Sequence, residues 1–143
     1  MKITEDFLRE HMEMCIDLAK STTIAKPHVG AVIINRNGKI IGRGERKYLD
    51  IDLGLFVHAE RDAINNCTED PKGAILFTTL EPCIFQWPSR YNYRRPILKP
   101  CAELILENRI SALVYGLGEM NSPSGESVGY LANRGVTVVQ YKA

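Results

Sequence analysis

The sequence predicts an α/β fold, a three-layer α-β-α sandwich built on a five-stranded mixed sheet. Apolar residues repeat at helical spacing in four segments, and five short apolar runs have the length of strands. After an initial hairpin, helices and strands alternate along the chain, which favours a sheet covered by helices on both faces. The chain has 143 residues, the length of one domain, so we predict a single domain over residues 1–143.

The first helix is predicted to begin after Thr4, whose hydroxyl can cap it, and to run to about residue 20. His11 is expected at the surface or the flank of this helix. The positions that repeat at helical spacing should face the core, and they are Phe7, Leu8, Met12, Cys15, Ile16 and Ala19.

The first strand is predicted over residues 29–35, because this run is apolar on both faces, as in a strand covered on both sides. Asn37-Gly38 predicts a hairpin turn, and residues 39–44 form the returning strand. Residues 45–57 are predicted to be a loop that leads directly into His58. The later elements are helix 58–66, strand 74–79, helix 101–108, strand 111–115, helix 125–134 closed by Gly135, and strand 136–141.

Charge and hydropathy exclude several classes of protein. The chain has 18 basic and 17 acidic residues and a formal charge of +1, so no strong field for nucleic acid or an anionic membrane is expected. The N-terminus lacks the apolar core of a signal peptide, and no apolar stretch approaches the roughly 20 residues that cross a bilayer. We therefore expect a cytoplasmic protein without a membrane partner. In that reducing compartment, the four cysteines are expected to be thiols or metal ligands.

Three short segments concentrate the reactive side chains: His58-Ala59-Glu60, Pro82-Cys83 and Pro100-Cys101. One imidazole and two thiolates form a three-ligand set for Zn²⁺ that leaves the fourth position to water, which is a catalytic pattern. Zinc lowers the pKa of bound water to about 7. We therefore predict Zn²⁺ as cofactor, with His58, Cys83 and Cys101 as metal ligands and Glu60 as the catalytic residue that moves protons.

These segments, together with Thr78-Thr79-Leu80-Glu81 before Pro82, resemble the cytidine/deoxycytidylate deaminase superfamily and its H-x-E…P-C-x-x-C signature. Within it, the chain resembles most the deaminase of riboflavin biosynthesis and its short stand-alone relatives, and the similarity extends over about residues 5–141. The resemblance implies a cytidine deaminase-like fold and a hydrolase that converts an exocyclic amine to a carbonyl with release of ammonia. It also implies a nucleotide or nucleotide-like substrate and a homo-oligomer.

The chain departs from the family pattern at four places. Seventeen residues separate the two cysteines where the usual motif has two, and we expect no reductase domain after the deaminase. These two departures argue against simple membership in the riboflavin pathway. Lys26 stands where family members often have an asparagine that touches substrate. Glu119-Met120-Asn121 replaces a D-P-N triplet.

The insertion at residues 84–100 is basic and aromatic, with three arginines, one lysine and no acid. Since it joins two predicted ligands, its ends must lie close to the metal. Arginines bind phosphate through two hydrogen bonds and aromatic rings stack on bases, so we predict that this loop covers the pocket and grips a phosphate. A solvated surface excursion or a subunit contact is the alternative. The predicted substrate-binding residues are Lys26, Ala59, Arg90, Arg94 and Arg95.

Three functions are compatible with these residues. The first is a deaminase for a free nucleotide, nucleoside or related aminopyrimidine. The second is a deaminase for a base in RNA or single-stranded DNA, against which the near-zero net charge weighs. The third is a catalytically silent nucleotide-binding or zinc-stabilised module, against which the intact Glu60 weighs. The sequence leaves the ring of the substrate, its number of phosphates, the pathway and the oligomeric state open.

The other two cysteines, Cys15 and Cys67, are interpreted as buried thiols.

Overall fold

The computed structural model describes residues 3–21, 28–50, 55–82, 101–117 and 126–142. The helices within these ranges are α1 (Glu5–Ser21), α2 (Ala59–Asn65), α3 (Cys101–Glu107) and α4 (Glu126–Ala132). The strands are β1 (Gly30–Ile34), β2 (Ile40–Glu45), β3 (Lys47–Asp50), β4 (Leu55–Val57), β5 (Ile75–Leu80), β6 (Ala112–Leu117) and β7 (Thr137–Gln140).

The main sheet has five strands in the order β2-β1-β5-β6-β7. Strand β1 is antiparallel to both β2 and β5, whereas β5, β6 and β7 run parallel to one another. The predicted five-stranded mixed sheet is therefore confirmed. Its parallel part matters for function, because the carboxyl ends of parallel strands open on the edge where α/β proteins bind ligands.

Helices cover both faces of this sheet. Met12 and Cys15 of α1 pack with Phe77 and its neighbours on one face. The other face packs against the remaining helices, through residues such as Ala63 of α2 and Ile105 of α3. Successive strand residues point to opposite faces, so each strand contributes to both clusters. This arrangement is the predicted three-layer sandwich.

The start of α1, the β1–β2 hairpin turn and the end of α4 are formed by the residues that predicted them. The Thr4 hydroxyl accepts a hydrogen bond from the backbone N–H of Phe7 at 3.1 Å, which caps α1. Gly38 has φ of 85°, and the Asn35 amide donates to the Lys39 carbonyl at 2.8 Å to close the β1–β2 hairpin. Gly135, with φ of 91°, ends the last helix.

The prediction of a loop over residues 45–57 is wrong, because β3 and β4 within it form a two-stranded antiparallel sheet. Its first strand is fastened to α2 by Asp62, which is 7% exposed. One oxygen of this carboxylate accepts from the Glu45 amide at 3.1 Å, and the other lies 2.9 Å from Lys47 Nζ. The strand thus depends on a contact with a helix that follows it in the chain.

Two positions of α1 are exchanged relative to the prediction. His11 is buried, because its ring packs against Phe7 and Phe77 at centroid distances of 4.4 and 5.4 Å and its Nδ1 lies 2.8 Å from the Phe7 carbonyl. Ile16 is exposed instead. The buried stripe is therefore rotated toward His11. Among the helices in the described residues, none has both the length and the apolar content that crossing a bilayer requires.

Glycines in β2 let α2 approach the sheet closely. A Cβ built on Gly44 would overlap the Ala59 carbonyl oxygen and the Ala63 amide nitrogen. A Cβ on Gly42 would lie within 2.5 Å of the Ala63 carbonyl oxygen. Both contacts are with helix backbone, which cannot move aside as a flexible side chain can. The position of α2 therefore depends on these two glycines.

The first prediction is that Gly44→Ala destabilises the protein, because the added methyl displaces α2 from the sheet. We expect the free energy of unfolding to fall by about 3 kcal/mol, the upper range for overpacked cores. Denaturant titration of both variants measures it. The control is Gly129→Ala in α4, where nothing lies within 4 Å of an added Cβ. This variant should be neutral or gain up to about 1 kcal/mol from helix propensity. Equal stability of the two variants would contradict the close approach.

Candidate active site

Three of the predicted reactive residues, His58, Glu60 and Cys101, meet at the carboxyl edge of the parallel strands. His58 is the N-cap of α2 and has an extended backbone, with φ of −72° and ψ of 153°. Cys101 is the first residue of α3. Both helices therefore begin at one edge of the sheet and present their first side chains toward each other.

The geometry of His58 and Cys101 fits a zinc ion. Their Nδ1 and Sγ atoms are 3.5 Å apart. Zinc–sulfur and zinc–nitrogen bonds of about 2.3 and 2.0–2.1 Å, meeting at a tetrahedral angle, put such atoms about 3.6 Å apart. A carboxylate oxygen of Glu60 completes a cluster whose ligand atoms all lie within 4.8 Å of one another. These donors match the nitrogen and sulfur ligands that zinc prefers.

Glu60 lies in the first turn of α2 and is 4% exposed. Its Oε1 accepts a hydrogen bond from the Thr78 hydroxyl at 2.9 Å. Thr78 is on β5 and is fully buried. Burying a carboxylate requires such partners, because an ionised group without them loses its hydration at a high cost. The structure thus holds an acidic group beside the candidate metal ligands.

A second buried carboxylate ties the end of β5 to α4. Glu81 is 2% exposed and accepts hydrogen bonds from the Ser127 hydroxyl and from the Val128 amide. Burial and the nearby Glu81 charge raise the pKa of the Tyr115 phenol. Glu81 directly precedes Pro82-Cys83, so this contact anchors the strand end from which a predicted ligand follows. The motif that contains Glu81 does not by itself indicate a partner for this carboxylate.

Several predicted site residues lie outside the described residues. These are Lys26, Cys83, Arg90, Arg94 and Arg95, so their roles stay predictions. Ala59, the other predicted substrate-binding residue, is fully buried and packs in the core cluster between α2 and the sheet. Its substrate contact also stays a prediction.

The remaining described cysteines are thiols away from this cluster. Cys15 is buried on the α1 side of the sheet, and its Sγ lies 3.5 Å from the Phe77 carbonyl. Burial raises the pKa of Cys15 to about 12. Burial, and then the charge of Glu69, also raises the pKa of the half-buried Cys67. Both thiols are therefore disfavoured as thiolates, which metal binding requires.

Comparison with known proteins shows what this arrangement is similar to. The family model described as the cytidine and deoxycytidylate deaminase zinc-binding region matches residues 5–117. The riboflavin biosynthesis protein RibD of Mycobacterium tuberculosis is 34% identical over 119 residues, which are 83% of this chain and 31% of that protein. A diaminohydroxyphosphoribosylamino-pyrimidine deaminase of Buchnera aphidicola is 33% identical over 134 residues, which are 91% of this chain and 81% of that protein.

A solved structure extends the similarity to three dimensions. The diaminohydroxyphosphoribosylaminopyrimidine deaminase/5-amino-6-(5-phosphoribosylamino)uracil reductase of Thermotoga maritima has a TM-score of 0.74 and 34% sequence identity. The match covers 93% of this chain and 36% of that protein. This chain thus spans about a third of the Mycobacterium and Thermotoga proteins. The similarity confirms the predicted cytidine deaminase-like fold and the family resemblance.

The second prediction concerns zinc content, measured by elemental analysis of the purified protein. Cys101→Ala and His58→Ala should each lose most of the bound zinc, because both remove a proposed ligand from a three-ligand set. The matched control is Cys67→Ala, which removes a thiol that follows α2 but lies outside the cluster. It should keep the zinc content of the wild type. A Cys101→Ala protein that retained full zinc would exclude this residue as a ligand.

Proposed function

The chain belongs to the zinc-binding cytidine and deoxycytidylate deaminase family, a class of zinc-dependent hydrolytic deaminases, and we propose that it acts on the exocyclic amine of a nucleotide-like aminopyrimidine. The product is a ring carbonyl, and ammonia is released. The observation that carries the proposal is the buried Glu60 carboxylate next to His58 and Cys101. A catalytically silent module would have no need of a buried acid at this position.

We assign the metal to His58, Cys83 and Cys101, with Glu60 outside the ligand set. A zinc ion held there would lower the pKa of a water molecule and so favour its attack on the carbon that bears the amine. Glu60 accepts the proton that this water loses. It delivers this proton to the ring nitrogen, then takes the second proton of the water from the hydroxyl now bound to the carbon and passes it to the departing amine. The carbon–nitrogen bond breaks, ammonia leaves, and the oxygen of the water remains as the carbonyl.

The position of Glu60 suits this proton transfer. Its carboxylate lies within 4.8 Å of the candidate ligand atoms and is shielded from bulk water. General acid–base catalysis by a positioned side chain contributes typically 10²–10⁴-fold in rate. Cys101 of the same cluster is also fully buried, so this side of the centre is shielded from bulk solvent.

A phosphorylated aminopyrimidine is the substrate class that we favour. The Buchnera and Thermotoga relatives are named for a diaminohydroxyphosphoribosylamino-pyrimidine, an amine-bearing ring joined to a phosphorylated ribose. The insertion between the two cysteines supplies arginines that can bind such a phosphate. Lys26, where the family often has asparagine, is the position at which ring preference would differ.

The third prediction is that the zinc-loaded protein releases ammonia from a phosphorylated aminopyrimidine in a panel of aminopyrimidines, nucleosides, mono- and triphosphates and oligonucleotides. Glu60→Gln should keep the zinc and reduce turnover by roughly 10²–10⁴-fold, because the amide cannot accept the proton. The control is Glu69→Gln, a surface carboxylate whose side chain is 44% exposed. It should retain full activity.

The outcome of this panel decides between the alternatives. Release only from oligonucleotides would replace the proposed substrate by a base in RNA or single-stranded DNA. Full zinc with no ammonia from any compound would instead support the silent module. The nucleic-acid substrate and the homo-oligomer stay predictions, because no described residue bears on either.

The fourth prediction tests the phosphate contact. Arg94→Ala/Arg95→Ala should raise KM for a phosphorylated substrate by at least tenfold more than for its dephosphorylated form, since hydrogen bonds to a charged group contribute about 1.5–3 kcal/mol each. The control is the double variant of two exposed arginines, Arg9→Ala in α1 and Arg134→Ala in the turn after α4, which removes the same charge elsewhere. Equal changes in KM for the two substrates would contradict phosphate binding by the insertion.

A further inference from the structure

We infer that Thr78 is a positioning residue that fixes the orientation of the Glu60 carboxylate for proton transfer. The inference rests on the proposed function, because it assigns Thr78 a part in the same reaction. It concerns a hydroxyl group in the centre of the sheet rather than a metal ligand. The sequence motif that contains Thr78 does not by itself indicate a role for this residue.

The contact is short and fully enclosed. Thr78 Oγ1 donates to Glu60 Oε1 at 2.9 Å, and the two residues are 0% and 4% exposed. Hydrogen bonds to an ionised acceptor are about twice as strong as neutral ones, and a buried one faces little competition from water. The bond therefore restrains the last torsion of the Glu60 side chain, which is otherwise broad in its preferences.

The Thr78 hydroxyl has one proton and two acceptors within reach, which are Glu60 Oε1 and the Leu80 carbonyl oxygen. The Leu80 carbonyl oxygen lies 3.0 Å from Thr78 Oγ1, and the Leu80 amide lies 3.4 Å away. Since a hydroxyl donates one proton, it bonds either the Leu80 carbonyl or the Glu60 carboxylate. The negatively charged oxygen is the stronger acceptor, and its distance is the shorter. The backbone of Leu80 holds the oxygen of Thr78 in place beside this carboxylate.

The surroundings of Thr78 make a polar group unnecessary for the fold itself. It shares a face of β5 with Leu76, and its neighbours across the sheet are Ala31 and Tyr115. Leu76, Ala31 and Tyr115 all belong to the core cluster on the α2 side. Valine has nearly the shape of threonine and is equally suited to a strand, so packing alone would accept it. Apart from its contacts with the Leu80 backbone, the hydroxyl contributes to this core its hydrogen bond to Glu60.

The alternative is that the hydroxyl only satisfies the end of β5 through Leu80. In that case, removal of the Thr78 hydroxyl would lower stability without changing catalysis, whereas the positioning role predicts a loss of catalysis. Loss of a strand-end bond lowers stability and leaves the chemistry of the folded protein unchanged. Loss of a restraint on Glu60 lowers kcat, because the acid spends less time in the productive orientation, and leaves substrate affinity nearly unchanged.

The fifth prediction is tested with Thr78→Val and Thr78→Ser on the zinc-loaded full chain, using the panel compound that the wild type turns over fastest. Thr78→Val should lower kcat roughly 10- to 100-fold, the effect of losing one hydrogen bond to a charged group, with KM within about twofold. Thr78→Ser keeps the hydroxyl and should retain kcat within about threefold. Zinc content should be unchanged in both variants.

The matched control is Thr79→Val, which removes the adjacent hydroxyl of the same strand. Thr79 Oγ1 accepts from the Gly30 amide at 3.2 Å, a contact with β1 rather than with Glu60. This variant should lose stability and keep the kcat of the wild type. A crystal structure of Thr78→Val should show the Glu60 carboxylate rotated away from its wild-type orientation.

Three results would overturn the inference. An active wild type with unchanged kcat in Thr78→Val would remove the role of Thr78 and leave the proposed function standing. Equal losses of kcat in the valine and serine variants, accompanied by equal losses of stability, would assign the residue to packing. A zinc-loaded wild type that releases no ammonia from any compound would remove the proposed function and, with it, this role.

Discussion

The approach of His58 Nδ1 to Cys101 Sγ, at 3.5 Å, is the constraint on which the rest of the structure depends. These residues are 43 positions apart and begin two different helices. For them to meet, α2 must start at the sheet edge where β5 ends, and α3 must start there too. The parallel pairing of β5 and β6 provides the second condition, because a helix joining two parallel strands returns from the carboxyl end of the first.

Because α2 and α3 must lie close to the sheet, the residues between them and the strands have to be small. Alanines face the sheet from both helices, and glycines occupy the facing positions of β2. Metal ligation tolerates errors of about 0.2 Å in ligand distance, whereas an extra methyl between helix and strand displaces a helix by more than that. The small residues Gly44 and Ala63 therefore keep α2 where His58 can meet Cys101, although neither residue belongs to the cluster.

The sequence predicted the features that depend on neighbouring residues. Thr4 caps α1 through an amide three residues away, and Gly38 turns a hairpin within five residues. The sequence did not predict the strand at residues 47–50, which depends on Asp62 from a later helix. It also missed the Thr78–Glu60 and Ser127–Glu81 bonds, which join residues 18 and 46 positions apart. Such partners follow from how a helix is placed on the sheet, and no local pattern encodes that placement.

The candidate site in the described residues and the departures from the family pattern lie in different parts of this chain. The candidate proton carrier and two candidate ligands belong to α2, α3 and the residue that caps α2. The departures from the family pattern, at Lys26, residues 84–100 and residues 119–121, lie outside the described residues. An insertion flanked by two ligands changes neither ligand, since coordination involves only its ends. With Cys83 as the third ligand, as we propose, seventeen intervening residues would serve the same centre as two, and the side chains within the insertion would be free to suit a different substrate.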